Sequence, residues 1–183
     1  MYPYLAAKGL TVVSCQGSLD RRVYVAPEAT QPNVVFLTGV GHGVADTYTG
    51  DMYDPILSVG AYDPAEVAGK VIHFLSCDTA LTLGPDVVAN GCRAFFGYDT
   101  ILVYPPEEEA TVLECDSEID RAFADGLTAQ QVYQRVRDLF DKRIGERQGA
   151  GAWYAASALA TIRDHLRAPS VGAQWGSPGA TIL

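Results

Sequence analysis

The sequence lacks long hydrophobic runs, basic clusters and closely spaced cysteines. No apolar stretch approaches the roughly 18 residues needed to cross a bilayer, so we expect no membrane partner. The first five residues, Met-Tyr-Pro-Tyr-Leu, do not combine a basic region with an apolar stretch, as an export signal would. Together these absences predict a cytoplasmic protein.

Positive charge is scarce. The chain has 13 Lys and Arg residues against 22 Asp and Glu residues, which gives a formal net charge of -9. A protein that binds nucleic acid needs basic side chains to neutralise phosphates, so nucleic acid is not expected as a partner. An acidic surface attracts basic peptides or protein substrates instead, although the charge could also serve solubility alone.

The cysteines are few and far apart. The chain has four of them, and none belongs to a Cys-x-x-Cys pair. This spacing argues against a zinc site and against a disulfide framework. We therefore predict reduced thiols, no metal and no other cofactor. Three of the four are expected to be structural: Cys15, Cys92 and Cys115.

The length of 183 residues suits a single domain, which we predict over residues 1–183. Hydrophobic segments typical of strands alternate with helical segments. This alternation favours an α/β fold with a mostly parallel central sheet flanked by helices. The predicted strands cover residues 10–15, 34–42, 70–77 and 94–98. The predicted helices cover 117–125, a longer segment from 128 onward and 152–166.

Several connecting segments are predicted from turn residues and charge. Residues 22–25 form a short strand or the start of a connection, and residues 44–62 form a long ordered loop. A helix is expected directly after Cys77, reaching Leu81. The acidic residues 107–120 are interpreted as a solvated loop, with cleavage in trans or calcium binding as alternatives.

A histidine and a cysteine stand where two hydrophobic segments end. The first segment ends in Gly41-His42-Gly43 and the second in Ser76-Cys77. Parallel strands bring their carboxyl ends to one sheet edge, where open α/β folds place their sites. An imidazole that takes the proton of a thiol creates a nucleophile. We therefore predict a catalytic pair, His42 as base and Cys77 as nucleophile. The alternatives are a solvated loop histidine and a buried core cysteine.

These two blocks carry a resemblance to a known family. A hydrophobic strand ending in His-Gly, followed by one ending in Ser-Cys, resembles the caspase-like (clan CD) cysteine peptidases. The similarity is closest to the CHAT and gingipain-like members. Residues 75–80 (Leu-Ser-Cys-Asp-Thr-Ala) resemble the family's nucleophile block, and residues 90–98 resemble the strand that follows it. Weaker matches lie in the C-terminal part of the chain, at residues 125–128 and 176–178.

The resemblance implies a caspase-like three-layer sandwich and a cysteine endopeptidase. It implies that the backbone at Gly43 and Cys77 stabilises the oxyanion. It also implies a place in a bacterial signalling or defence pathway. The chain departs from the family in the residues just before Cys77 and in Ser177, which stands where the family often has Asp. The resemblance therefore does not transfer a substrate preference.

Two acidic residues suggest a preference for Arg or Lys before the cleaved bond. Asp78 follows the nucleophile and Asp99 follows the next predicted strand, so either carboxylate could bind a basic side chain. The alternative is that both are ordinary loop or cap residues. His73, inside the second segment, is interpreted as a packed histidine, and His165 is expected at a helix C-terminus.

Other functions remain open at this point. One is a catalytically silent caspase-like module that binds a partner protein. Another is a cysteine hydrolase of the glutamine amidotransferase type, but these place the cysteine before the histidine, within a Gly-x-Cys-x-Gly turn. An activating partner protein, or processing of the chain, is a further alternative for an enzyme that is inactive when isolated.

Overall fold

The computed structural model describes residues 2–50 and 53–183. Its α-helices are α1 Tyr2–Ala7, α2 Arg22–Ala29, α3 Leu83–Ala89, α4 Glu109–Asp116, α5 Glu118–Ala124, α6 Ala129–Gly149 and α7 Trp153–Asp164. Its strands are β1 Phe36–Val40, β2 His42–Val44, β3 Thr47–Thr49, β4 Pro55–Ser58, β5 Val71–Leu75, β6 Ala94–Tyr98 and β7 Leu166–Arg167. The sequence therefore forms an α/β fold, as predicted.

The larger sheet has four strands in the order β1-β5-β6-β7. The first three are parallel, and β7 joins the edge antiparallel to β6. Strands β5 and β6 are buried at every residue, as parallel strands covered on both faces must be. The predicted mostly parallel sheet is confirmed, with β7 as an antiparallel addition that the sequence did not indicate.

Alternation along β5 sends side chains to two different cores. Val71 and Leu75 pack with helices α4 to α7, whereas Ile72 and Phe74 pack with α2, α3 and the small sheet β2-β3-β4. The sheet is thus covered on both faces, an arrangement compatible with a three-layer sandwich. One outer layer is helical, and the other combines helices with a second sheet.

The second sheet corrects the prediction for residues 44–62. These residues were expected to form a loop, but β2, β3 and β4 pair antiparallel, with His42 opposite Thr49 and Tyr48 opposite Leu57. The sheet forms because Tyr48 and Leu57 bury their side chains against Phe74 and its neighbours. As a result, the chain leaves β1 at Gly41 and enters a hairpin that carries His42.

Three other local predictions were wrong. Residues 10–15 are extended but pair with no strand, and residues 22–25 belong to helix α2. No helix follows Cys77 directly; residues 76–82 form bends and turns, and α3 begins at Leu83. The left-handed backbone of Asp78, with φ of 58°, is incompatible with a right-handed helix starting at that point.

The acidic residues 107–120 are not a solvated loop. Most of them belong to α4 and α5, and four of their carboxylates are buried: Glu108, Asp116, Glu118 and Asp120. Arginines of α6 and a histidine of β5 neutralise them. The prediction of a solvated loop was wrong because the sequence does not show which carboxylates become buried and paired with cations.

Candidate active site

The register of β1 and β5 places His42 and Cys77 at neighbouring positions. Val40 is paired with Leu75, and Gly41 N–H donates to Leu75 O at 3.2 Å. His42 and Cys77 each follow two residues after that pair. Because adjacent parallel strands lie about 4.8 Å apart, the two backbones meet at one end of the sheet. His42 and Cys77 therefore lie at the same end of the sheet, as predicted.

Gly43 brings the two segments into direct contact. A β-carbon at this position would collide with the carbonyl oxygen of Cys77 and would lie 2.6 Å from Thr79 Cγ2. Only glycine therefore allows β2 to pack this closely on the turn after β5. Gly43 therefore permits the close packing of the two segments, in addition to the bend of the chain beside His42.

One backbone N–H group contacts the thiol of Cys77, and the N–H of Cys77 itself is unpaired among the described residues. Leu102 N–H donates to Cys77 Sγ at 3.3 Å. Cys77 N–H has no acceptor in the part of the chain that the structure describes. It is therefore free to donate to an oxyanion. A helix dipole does not contribute, since α3 begins at Leu83.

The imidazole of His42 lies on an aromatic ring. His42 is exposed and stacks on Tyr53, with ring centroids 4.4 Å apart and an interplanar angle of 16°. Within residues 2–50 and 53–183, no hydrogen bond joins this imidazole to Cys77 or to a carboxylate. Catalytic hydrogen bonds are often formed only when substrate is bound.

Backbone strain is concentrated at this end of the sheet. Two non-glycine residues of the described chain have a positive φ, Tyr53 at 59° and Asp78 at 58°. One stacks on His42 and the other directly follows Cys77. Residues held in such conformations cluster at functional sites, where the surrounding structure must sustain the strain.

The two predicted substrate carboxylates have different surroundings. Asp78 is half-buried, its N–H donates to Thr100 O at 3.2 Å, and its carboxylate has no ion pair among the described residues. Asp99 Oδ2 accepts a hydrogen bond from Arg167 Nε at 2.6 Å, and Asp99 Oδ1 lies 2.8 Å from His165 Nδ1. Asp99 therefore anchors β7 to β6, and only Asp78 offers a free carboxylate near the thiol.

A second polar cluster lies deeper in the sheet, on the face of the large helical core. His73 Nδ1 is 2.7 Å from Asp120 Oδ1, and its Nε2 is 3.0 Å from Asp116 Oδ1. Thr38 donates to Asp120 at 3.1 Å, and Tyr98 donates to Asp116 at 2.8 Å. The interpretation of His73 as a packed histidine is confirmed, although its carboxylate partners were missed.

The charge of His73 excludes a role as general base at neutral pH. Burial by itself lowers its pKa, but the charges of Asp116 and Asp120, and their hydrogen bonds, outweigh burial and raise the pKa to about 10. The group therefore holds its proton at neutral pH. A spacing of four residues between the two aspartates, which lie in the successive helices α4 and α5, was the signal in the sequence that could have paired them with His73.

The other cysteines differ from Cys77 in their surroundings. Cys92 and Cys115 are buried, and burial raises the pKa of each thiol to about 12. Cys15 is half-buried, and burial, with the charges of Glu28 and Asp20, also raises its pKa. These three thiols are thus held in the neutral, unreactive form.

Comparison of the chain with profiles of known families, with curated proteins and with solved structures finds no match. Within the described residues, no group of His, Cys, Asp and Glu side chains has the arrangement of a metal site. No helix in the same part of the chain is long and apolar enough to cross a membrane.

Proposed function

We propose that the protein is a cysteine peptidase of caspase-like fold, with Cys77 as nucleophile and His42 as general base. The observation that carries this proposal is the contact between the two strand ends, where Gly43 packs directly on Cys77. The N–H donor at the sulfur, the free N–H of Cys77 and the strained backbones of Tyr53 and Asp78 support it.

The reaction follows from these groups. His42 takes the proton of the Cys77 thiol, and the thiolate attacks the carbonyl carbon of a peptide bond. Cys77 N–H donates to the oxyanion, with Gly43 N–H as the second proposed donor. The C–N bond breaks, and the proton held by His42 passes to the leaving amine. Water, deprotonated by His42, then hydrolyses the thioester and regenerates the thiol.

Substrate selection is proposed to depend on Asp78. Its carboxylate lies one residue from the nucleophile and has no ion pair in the described chain. A lysine or arginine side chain before the cleaved bond would neutralise it. The net charge of -9 favours the approach of such basic substrates.

A digest of a proteome-derived peptide library, read by mass spectrometry, tests this function. We expect cleavages by the wild type that disappear in Cys77→Ala and persist in Cys15→Ala, the matched control at the other half-buried cysteine. Cleavage that survives Cys77→Ala would refute the assignment of the nucleophile. In Asp78→Asn, we expect the preference for basic residues to weaken while cleavage continues.

Alkylation of the thiol separates the enzyme from the silent binding module. Cys77 of an active peptidase should react with iodoacetamide at neutral pH, and His42→Gln should slow that reaction. Equal rates in the wild type and in His42→Gln would show that the imidazole does not activate the thiol, and would favour the silent module.

A further inference from the structure

One edge of strand β1 pairs with none of the strands that the structure describes. Val71 N–H donates to Val35 O at 2.9 Å, and Gly41 N–H donates to Leu75 O at 3.2 Å, so odd-numbered residues of this segment face β5. The even-numbered residues direct their N–H and C=O groups to the other edge, where no described residue pairs with them. These residues are Phe36, Thr38 and Val40.

A cavity runs along this free edge. Its volume is about 940 Å³, and every residue of β1 lines one side of it. Residues 9–17, which belong to no strand, line the opposite side. Consecutive residues of a strand point to both faces of the sheet, so their joint exposure to one cavity means that the cavity follows the strand's edge. An unpaired edge of this kind is a template for another strand.

The opposite wall is held away from β1 at both ends. On the N-terminal side of residues 9–17, Lys8 Nζ and Tyr4 Oη lie 2.6 and 2.7 Å from Asp125 Oδ1, and these contacts fix α1 on α5. On the C-terminal side, the backbone of Asp20 packs so closely on Gly50 that a β-carbon there would lie 2.5 Å from Asp20 O. These contacts hold the cavity open between residues 9–17 and the strand.

The cavity wall includes the hydroxyl of Tyr48. Tyr48 is only 4% exposed, its ring stacks on Phe74, and its hydroxyl lies over Gly39. No residue in the described ranges forms a hydrogen bond with this hydroxyl. Burial raises its pKa, so the group remains a donor. A carbonyl oxygen of a bound chain would accept a hydrogen bond from this hydroxyl.

The charge and polarity of the lining define the guest. Four carboxylates line the cavity, those of Asp20, Glu28, Asp116 and Asp120, and Arg121 is the one cation among the described residues that line it. Asp116 and Asp120 are paired with His73, so the exposed Glu28, which has no ion pair among the described residues, is the clearest partner for a basic guest. Apolar side chains line the cavity on both faces of the sheet: Leu37 lies on the face of Tyr48, and Phe36 lies on the face of Thr38 and Asp120. The guest should therefore combine apolar and basic side chains.

We propose that the free edge of β1 binds an extended, basic polypeptide segment by strand addition. The backbone of this segment pairs with Phe36, Thr38 and Val40, and its apolar side chains fill the cavity beside Tyr48. Its basic side chains are attracted by the excess of carboxylates over cations around the cavity. This surface is separate from Cys77, so binding does not depend on the proposed peptidase activity.

The test uses Cys77→Ala protein, which excludes cleavage, and the fluorescent peptide acetyl-KVKVTVK-amide. We expect saturable binding that weakens as salt is added. Two control peptides are matched to it. The first has glutamate in place of each lysine. The second has backbone N-methyl groups on alternate residues, so that one edge or the other of the peptide strand cannot donate hydrogen bonds. Both should bind at least about five-fold more weakly, the second because each lost hydrogen bond costs about that factor.

The matched protein variants are Val40→Pro and Val40→Thr. The amide of Val40 points to the free edge, where proline is tolerated in strands, so Val40→Pro removes only a donor to the guest. We expect at least about five-fold weaker peptide binding. Val40→Thr keeps the donor and should stay within about two-fold of the unsubstituted binding. Thermal unfolding checks that both variants fold.

Hydrogen exchange identifies the occupant of the edge. The amides of Thr38 and Val40 should exchange fast in the free protein and slowly when the peptide is bound. Slow exchange before the peptide is added would show that residues 10–15 already occupy the edge, and would overturn the proposal. Absence of binding, or equal binding of the N-methylated peptide, would overturn it as well.

Discussion

The buried charge of His73 predicts a fall in stability as the pH rises above neutrality. His73 is 1% exposed and lies between the carboxylates of Asp116 and Asp120. Its pKa is raised to about 10, above its ordinary value of 6.5. Because the folded protein holds this proton more tightly than the unfolded chain, protonation stabilises the fold.

The magnitude follows from the difference between the two pKa values. One pKa unit corresponds to about 1.4 kcal/mol, so the full contribution is about 5 kcal/mol, present below the unfolded pKa. As pH rises from 6.5 towards 10 the contribution is lost. Between pH 6.5 and 8.5 we expect the free energy of unfolding to fall by about 2 kcal/mol. The raised pKa values of the buried thiols have their effect above this window.

The assay is urea unfolding, followed by circular dichroism, at half-unit steps between pH 6.5 and 8.5. The chain has three histidines, so the double variant His42→Gln, His165→Gln isolates His73 and should keep the full slope. His73→Gln should flatten the slope. It should also destabilise the protein by about 3–5 kcal/mol, because it leaves two buried carboxylates without their cation.

A stability that does not change between pH 6.5 and 8.5 in the double variant would refute the reasoning. So would an NMR spectrum at pH 8 in which His73 has only one protonated ring nitrogen. The second measurement remains decisive if His73→Gln does not fold, since it needs only the wild-type protein.

The remaining predictions concern a close contact, a core side chain and a helix cap. Gly43→Ala should displace the backbone at Cys77 by about 1 Å and lower Cys77-dependent cleavage about 100-fold, whereas Gly145→Ala, which has open space around it, should leave cleavage unchanged. Equal activity of the two variants would show that the close packing is unnecessary. Phe140→Ala should lower the free energy of unfolding by about 3–5 kcal/mol, since Phe140 is fully buried; a loss below about 1 kcal/mol in urea unfolding would contradict its place in the core. Thr128→Ala should cost about 1 kcal/mol by the same assay, because the Thr128 side chain accepts a hydrogen bond at the start of α6, and Thr128→Ser should restore the cap.

Local patterns predicted the central strands and the longest helix well. Residues 94–98 form β6 with the predicted bounds, and the apolar positions Val132, Val136 and Phe140 of α6 are buried as their spacing requires. Capping boxes begin at Asp63, where a short 3-10 helix opens, and at Thr128, where α6 opens. These features depend on neighbours in the sequence, and such signals can be recognised without the fold.

Predictions failed where a distant partner decides the structure. Residues 10–15 have the composition of a strand, but a strand needs an edge within hydrogen-bonding reach, and the cavity separates them from β1. The strand β3 forms because Tyr48 stacks on Phe74, a contact that no local pattern indicates. Aspartates 116 and 120 are buried because His73 lies opposite them on β5.

The sequence by itself determined the α/β class, the identity of the candidate base and nucleophile, and their order along the chain. Hydrophobic periodicity and turn residues, which are local properties, were sufficient for that. Only the tertiary structure decided that Gly43 packs on Cys77, that Leu102 N–H points at the thiol, and that Asp99 is occupied by Arg167. These contacts join residues far apart in the chain, and they depend on how the strands are paired.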